Sequence, residues 1–112
     1  MIEGPKQTGD WPDRALDCEE AIEPAFIAIA DRLQAAGLSP DETARQLVEA
    51  TADRSHWAAP MLRDIAEQAQ AAGWHRLEVA NGIVSLAHNY RLAVEANAET
   101  DRQIRRAWGE PD

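Results

Sequence analysis

The chain has 112 residues, which is enough for one domain with a single core of modest depth. Its 20 Asp and Glu residues outnumber 11 Lys and Arg, and the resulting net charge of −9 disfavours nucleic acid and anionic membranes as partners. The only cysteine, Cys18, excludes an internal disulfide, and neither a signal-peptide pattern nor a long apolar run is present, so we expect a cytoplasmic protein without a membrane span.

The composition predicts helices. Alanine is abundant, Leu, Glu, Gln and Arg fill most other positions, and the chain has only one Phe and one Tyr. These common residues lose little conformational freedom in a helix, whereas strand-forming residues are scarce. The single lysine, Lys6, against ten arginines also favours a bacterial genome rich in G and C.

The first third of the chain predicts a loose segment followed by helix. Residues 1–9 lack periodicity and are expected to form a disordered tail. Residues 10–13 place an acidic cap before a proline, which is typical of a helix start, and a short acidic helix with Leu16 and Ile22 facing the core can follow. Pro24 cannot donate a helical hydrogen bond, so we expect it to kink or restart this helix.

The middle of the chain contains the clearest helix boundaries. Gly37 predicts a helix end, because glycine tolerates the left-handed conformation found there. Residues 39–42 read Ser-Pro-Asp-Glu, which is a capping box with proline in the first turn of a second helix. A polar connection at 53–56 leads to a third helix that ends at Gly73.

The last predicted helix is long. It begins near His75 and has no break before Trp108, after which residues 109–112 are expected to form a tail. Gly82 lies inside this helix, where we expect it to permit close packing against a neighbour.

An internal repeat links the two halves of the domain. Residues 24–48 and 60–84 are identical at ten aligned positions, which include the Pro at the start and the Gln-Ala-Ala-Gly before each predicted turn. Each copy contains a helix, a glycine stop, an apolar residue and a second helix, so each is an αα-hairpin. The sequence therefore predicts one all-α domain over 10–108, a small bundle of two αα-hairpins with four to five helices and a long C-terminal helix.

Apolar residues follow an alternating spacing of three and four along the last helix, which is typical of a coiled-coil surface. The part beyond Tyr90 has no obvious partner in the repeat-derived core. One possibility is that the acidic segment 13–23 covers this part of the helix within the chain, with its carboxylates facing the arginines near the C-terminus. The other is that a second copy of the protein covers it. The two possibilities combine if segment 13–23 of one copy pairs with the last helix of the other. We therefore predict an interaction surface on this helix at Ile83, Leu86, Tyr90, Asn97, Ile104 and Trp108.

The four tryptophans allow two interpretations. Trp74 is expected to plug a hairpin in the place that Leu38 has in the first repeat. Trp11, Trp57 and Trp108 lie near predicted helix ends, where they either cap the bundle or serve as anchors of an interface.

No motif for catalysis or for cofactor binding is found. The three histidines His56, His75 and His88 lack metal-ligand spacing, and Cys18 lacks an adjacent glycine-rich loop that could stabilise an oxyanion. We therefore predict no cofactor, no metal and no catalytic residue.

The sequence favours a non-enzymatic helical protein-protein interaction module, homodimeric and regulatory or accessory to a larger system. Its partner is then another protein, a second copy of itself, or both. Two other functions stay open: an acidic decoy that inhibits a nucleic-acid-binding protein, and a small enzyme that uses a metal or cofactor.

Overall fold

The computed structural model describes residues 2–7 and 9–109, and within these ranges the chain forms helices and no strand. The helices pack in two hairpins, and the last helix is much longer than the others. The predicted all-α bundle is thereby confirmed, with four helices: α1 (Arg14–Ala35), α2 (Pro40–Ala52), α3 (Ala59–Ala72) and α4 (Arg76–Ala107).

The two hairpin turns have the same geometry. Gly37 and Gly73 adopt left-handed φ angles of 107° and 115°, as predicted for glycine stops. In each turn the amide after the glycine donates to the carbonyl five residues earlier, at 3.3 Å in the first turn and 3.1 Å in the second. The following side chains, Leu38 and Trp74, both pack on the core, and Trp74 is the more deeply buried.

The start of α2 is fixed by the predicted capping box. The Glu42 amide donates to Ser39 Oγ at 3.2 Å, and the Ser39 amide donates to Glu42 Oε1 at 3.4 Å. The equivalent position in the second hairpin is His75, whose amide donates to Glu78 Oε1 at 2.7 Å. Both second helices therefore begin with a glutamate that reaches back to the residue before the helix.

Pro24 does not interrupt α1 as expected, and its effect on the helix is one missing hydrogen bond. α1 continues through Pro24, and the proline lies on the solvent side of the helix. The carbonyl of Glu20, which loses its donor, is therefore next to water rather than in the core. A single helix of 22 residues takes the place of the two shorter pieces that the proline suggested.

The N-terminal segment is not the loose tail that we expected. Ile2 belongs to the buried core, and the indole N–H of Trp74 donates to the Glu3 carbonyl at 2.7 Å. Gly4 lies so close to the Ala72 carbonyl that a side chain there would collide with it. Residues 2–5 therefore do not form part of the disordered tail expected over 1–9. The Ile2 side chain packs in the core, and the Glu3 carbonyl accepts a hydrogen bond from the Trp74 indole.

α1 and the first half of α4 run in the same direction. Arg14 contacts Glu78 near the start of both helices, Ile22 lies against Gly82, and Gln34 reaches Tyr90 near the end of α1. α2 runs the other way, so its first turns lie beside Val94 and Glu95. The bundle thus ends near residue 95, although α4 continues to Ala107.

Candidate functional site

The buried face of α4 continues past the end of the bundle. Ile83 and Leu86 are buried in the core of their own chain. Tyr90 is half-buried: its ring meets Phe26 edge-on with centroids 6.5 Å apart, and its hydroxyl accepts a hydrogen bond from Gln34 Nε2 at 2.6 Å. These three predicted surface residues therefore contact the bundle itself.

The other three predicted residues lie on the part of α4 that projects from the bundle, which we call the α4 extension (residues 96–108). Asn97 is exposed, and Ile104 and Trp108 keep 50% and 81% of their surface accessible. Steps of seven and four residues place Asn97, Ile104 and Trp108 on the helix face that carries Tyr90. The α4 extension therefore presents an apolar strip that is in line with the bundle core and that the described residues leave exposed.

The charged residues of this part of α4 are mostly paired along the helix. Arg91 contacts Glu95 at 3.2 Å, and Arg102 contacts Glu99 at 2.6 Å, which lowers the pKa of the Glu99 carboxyl. Arg105 forms no ion pair with any described residue, and it flanks the strip next to Ile104. It is thus a cation beside an apolar surface, available to a partner.

The exposed side of α1 carries a second surface, which we call the α1 ridge. Its residues recur at spacings of three and four, so they form one line along the helix. Two large hydrophobic side chains lie among four acids, and no basic residue interrupts the line. All of its members are exposed: Asp13, Leu16, Glu20, Glu23, Ile27 and Asp31.

The acidic segment 13–23 does not cover the α4 extension within the chain. It lies beside the start of α4, where Arg14 contacts Glu78 and Ile22 contacts Gly82. Arg102 is 24 residues further along α4 than Glu78, or about 36 Å at the helical rise. The C-terminal arginines therefore do not pair with these acids within one chain.

A partly buried ion pair joins the start of α1 to the start of α4. Arg14 donates from Nε and Nη2 to the Glu78 carboxylate at 2.8–3.2 Å, and its Nη1 donates to the Gly9 carbonyl at 2.7 Å. The guanidinium lies 5.0 Å from the ring of Trp11 and 5.4 Å from that of Trp74. The hydrogen bonds from Arg14 lower the pKa of Glu78, and burial raises the pKa of the neighbouring Cys18 thiol to about 11.

We expect this ion pair to contribute to the acid stability of the fold. The folded pKa of Glu78 is below its unfolded value, so its contribution is complete above about pH 4.5 and is lost as the pH falls through the folded value. Glu78→Gln should therefore flatten the decrease in unfolding free energy between roughly pH 5 and pH 3, measured by urea unfolding at each pH. Glu67→Gln, an exposed control on α3, should keep the wild-type slope.

The residues with catalytic or metal-binding chemistry do not converge. His56 Nε2 contacts Glu49 at 3.1 Å, whereas His75 and His88 are exposed, and no described hydrogen bond links Cys18 to any of them. Across residues 2–7 and 9–109, no three His, Cys, Asp or Glu side chains are grouped as a metal site requires. No described cluster of side chains here suggests a reaction.

An open groove lies between α2, α3 and α4. It has a volume of about 470 Å³, and Leu62, Ile83 and Val84 contribute to its apolar lining. Its charged residues are three arginines and Glu67, and no histidine or cysteine lines it. Trp57, which is 45% exposed, and the half-buried Trp11 are likewise not part of it.

Comparison of the chain with protein-family models, with curated proteins and with solved structures finds no match in any of the three. Within the described residues, no helix combines the length and the apolar character that crossing a bilayer needs.

The spacing in the sequence predicted the exposed strip on the α4 extension, but the α1 ridge was not predicted. The signal for the ridge was present, because Leu16, Glu20, Glu23 and Ile27 recur at helical spacing. The prediction that Leu16 faces the core with Ile22 is wrong, because Leu16 is 51% exposed on this line.

Proposed function

We propose that this protein is a non-enzymatic helical interaction module that forms a homodimer through the α4 extension. The observation that carries the proposal is the apolar strip of Ile104 and Trp108, which continues the core face of α4 beyond the bundle. Such a dimer suits a regulatory or accessory protein, because the rest of the surface stays available to another partner.

The physical reason is the apolar surface that this strip leaves in water. A tryptophan and an isoleucine one helical turn apart form a compact patch, and tryptophan is among the residues that contribute most to binding when buried. Trp108 has most of its surface accessible in the single chain, so a partner that covers it removes a large apolar area from water.

The test is the molar mass by size-exclusion chromatography with light scattering over a range of protein concentrations. We expect the wild type to reach twice the chain mass of 12.4 kDa. The double variant Ile104→Asp, Trp108→Ala removes both anchors, so its dissociation constant should increase by about 100-fold or more.

A matched control comes from the other end of the same helix. Leu77 is 77% exposed in the first turn of α4, so Leu77→Asp introduces the same type of change far from the strip and should leave the dimer intact. A wild-type chain that stays at 12.4 kDa at every soluble concentration would contradict the proposal.

A further inference from the structure

We propose that the α4 extension of one copy binds the α1 ridge of the other, so that each copy contributes both halves of the contact. This inference rests on the proposed function and adds the surface that the apolar strip recognises.

The side of α4 that faces α1 indicates where the partner surface must lie. Gly82 and Tyr90 face α1 of the same chain, and Asn97, Ile104 and Trp108 continue on nearly the same side of the helix. Beyond the end of α1, the strip therefore faces the space that a prolongation of α1 would occupy. A helix placed end to end with α1 would cover the strip without any change in α4.

A two-fold axis perpendicular to α4 places the second copy's α1 in this space. Because α1 and α4 are parallel in each copy, the two α1 helices then meet at their C-terminal ends, and the two α4 helices run antiparallel on either side. Each α4 extension thereby lies along the outer side of the other copy's α1, which is the α1 ridge. The contact is made twice and closes on itself, as expected for a stable dimer.

The helical rise gives the register of this contact. Within a chain, Tyr90 contacts both Phe26 and Gln34, so it lies level with about residue 30 of α1, and α4 loses its contacts with α2 near Glu95. If the axis crosses α4 at about residue 98, Arg105 lies level with Asp31 of the second copy, and Trp108 lies within about one helical turn of its Ile27. The strip therefore faces the C-terminal half of the ridge.

The chemistry of the two surfaces agrees with this register. Ile27 is 41% exposed and is the hydrophobic residue of the ridge closest to Trp108 in this arrangement. Arg105 has no described ion pair within its own chain, and Asp31 is an exposed carboxylate at the level where the guanidinium would lie. An apolar pair with an ion pair at its edge is the usual arrangement of an interface core and its rim.

The two hydrophobic residues of the ridge provide the first test. Leu16 lies 11 residues before Ile27, or about 16 Å along the helix, and is beyond the reach of the α4 extension. We expect Ile27→Asp to raise the dissociation constant of the dimer by at least about tenfold and Leu16→Asp to leave it unchanged, in sedimentation equilibrium with circular dichroism to verify folding. Equal effects of the two substitutions would overturn the inference.

Charge reversal provides the second test. It uses two single variants, each of which should form only a weakened dimer by itself. Asp31→Arg and Arg105→Glu should each weaken the dimer about tenfold, because each places like charges together at both contacts. In an equal mixture, the heterodimer pairs Arg105 with Asp31 at one contact and the two reversed residues at the other. Native mass spectrometry of the mixture should therefore show the heterodimer in excess over both homodimers.

The outcomes separate this inference from the proposal on which it rests. A dimer that dissociates in the Ile104→Asp, Trp108→Ala variant but not in Ile27→Asp or Asp31→Arg would keep the proposed function and overturn the inference, since the α4 extensions would then bind each other. A wild-type chain that never dimerises would overturn both.

Discussion

Replacing Trp74 with alanine is expected to lower the free energy of unfolding by about 3–5 kcal/mol, the usual cost of removing a buried aromatic side chain. Trp74 is 4% exposed, its ring lies 6.3 Å from that of Trp11 and against the guanidinium of Arg14, and its N–H donates to Glu3. One substitution thus leaves a cavity and also removes the contact that holds the N-terminal segment.

This loss is measured by urea unfolding in an Ile104→Asp background, where dimer formation adds nothing to the apparent stability. The internal repeat provides the control, because Leu38 has the equivalent place in the first hairpin but is only half-buried. Leu38→Ala should therefore cost less than Trp74→Ala. Equal losses for the two variants would show that the N-terminal segment and the indole contacts contribute nothing.

Replacing Gly82 with leucine is expected to destabilise the fold by about 3 kcal/mol through overpacking. A β-carbon at Gly82 would lie 3.1 Å from the tip of the Ile22 side chain and 3.7 Å from the backbone of Glu19. The isoleucine tip can move by a few tenths of an ångström, but the α1 backbone behind it cannot yield to a larger side chain without separating the two helices.

Gly82→Ala distinguishes this explanation from a simple helix-propensity effect. Alanine favours a helix interior over glycine by about 1 kcal/mol, which offsets the small adjustment of Ile22, so this variant should be close to the wild type. Urea unfolding midpoints of both variants check the prediction. It would be contradicted if Gly82→Leu were as stable as Gly82→Ala, since close contact between α1 and α4 would then be unnecessary at this position.

The local signals in the sequence predicted the ends of α1 and α3 and the start of α2. Gly37, Gly73 and the Ser39 capping box act through neighbours within a few residues, so the sequence pattern alone contains the cause of each boundary. Pro24 and Ile2 depended on tertiary context. Whether a proline interrupts a helix depends on whether it faces solvent or the core. Whether a short segment binds depends on the surface that it contacts.

Long-range contacts explain what could not be predicted at the candidate site. The ion pair of Arg14 and Glu78 joins residues 64 positions apart, and nothing near either residue signals the other. The strip on α4 was found from its spacing, but the same spacing covers Ile83 in the core and Trp108 in water. Periodicity defines a helix face, whereas the lengths of the neighbouring helices decide where that face becomes exposed.

The buried thiol of Cys18 can report how often α1 separates from α4. Cys18 is the only cysteine and is fully buried, with a pKa raised to about 11, so the folded chain holds almost no reactive thiolate at neutral pH. A thiol reagent can modify it only while α1 is detached from α4. The labelling rate relative to that of the unfolded chain therefore measures how often these two helices separate under native conditions.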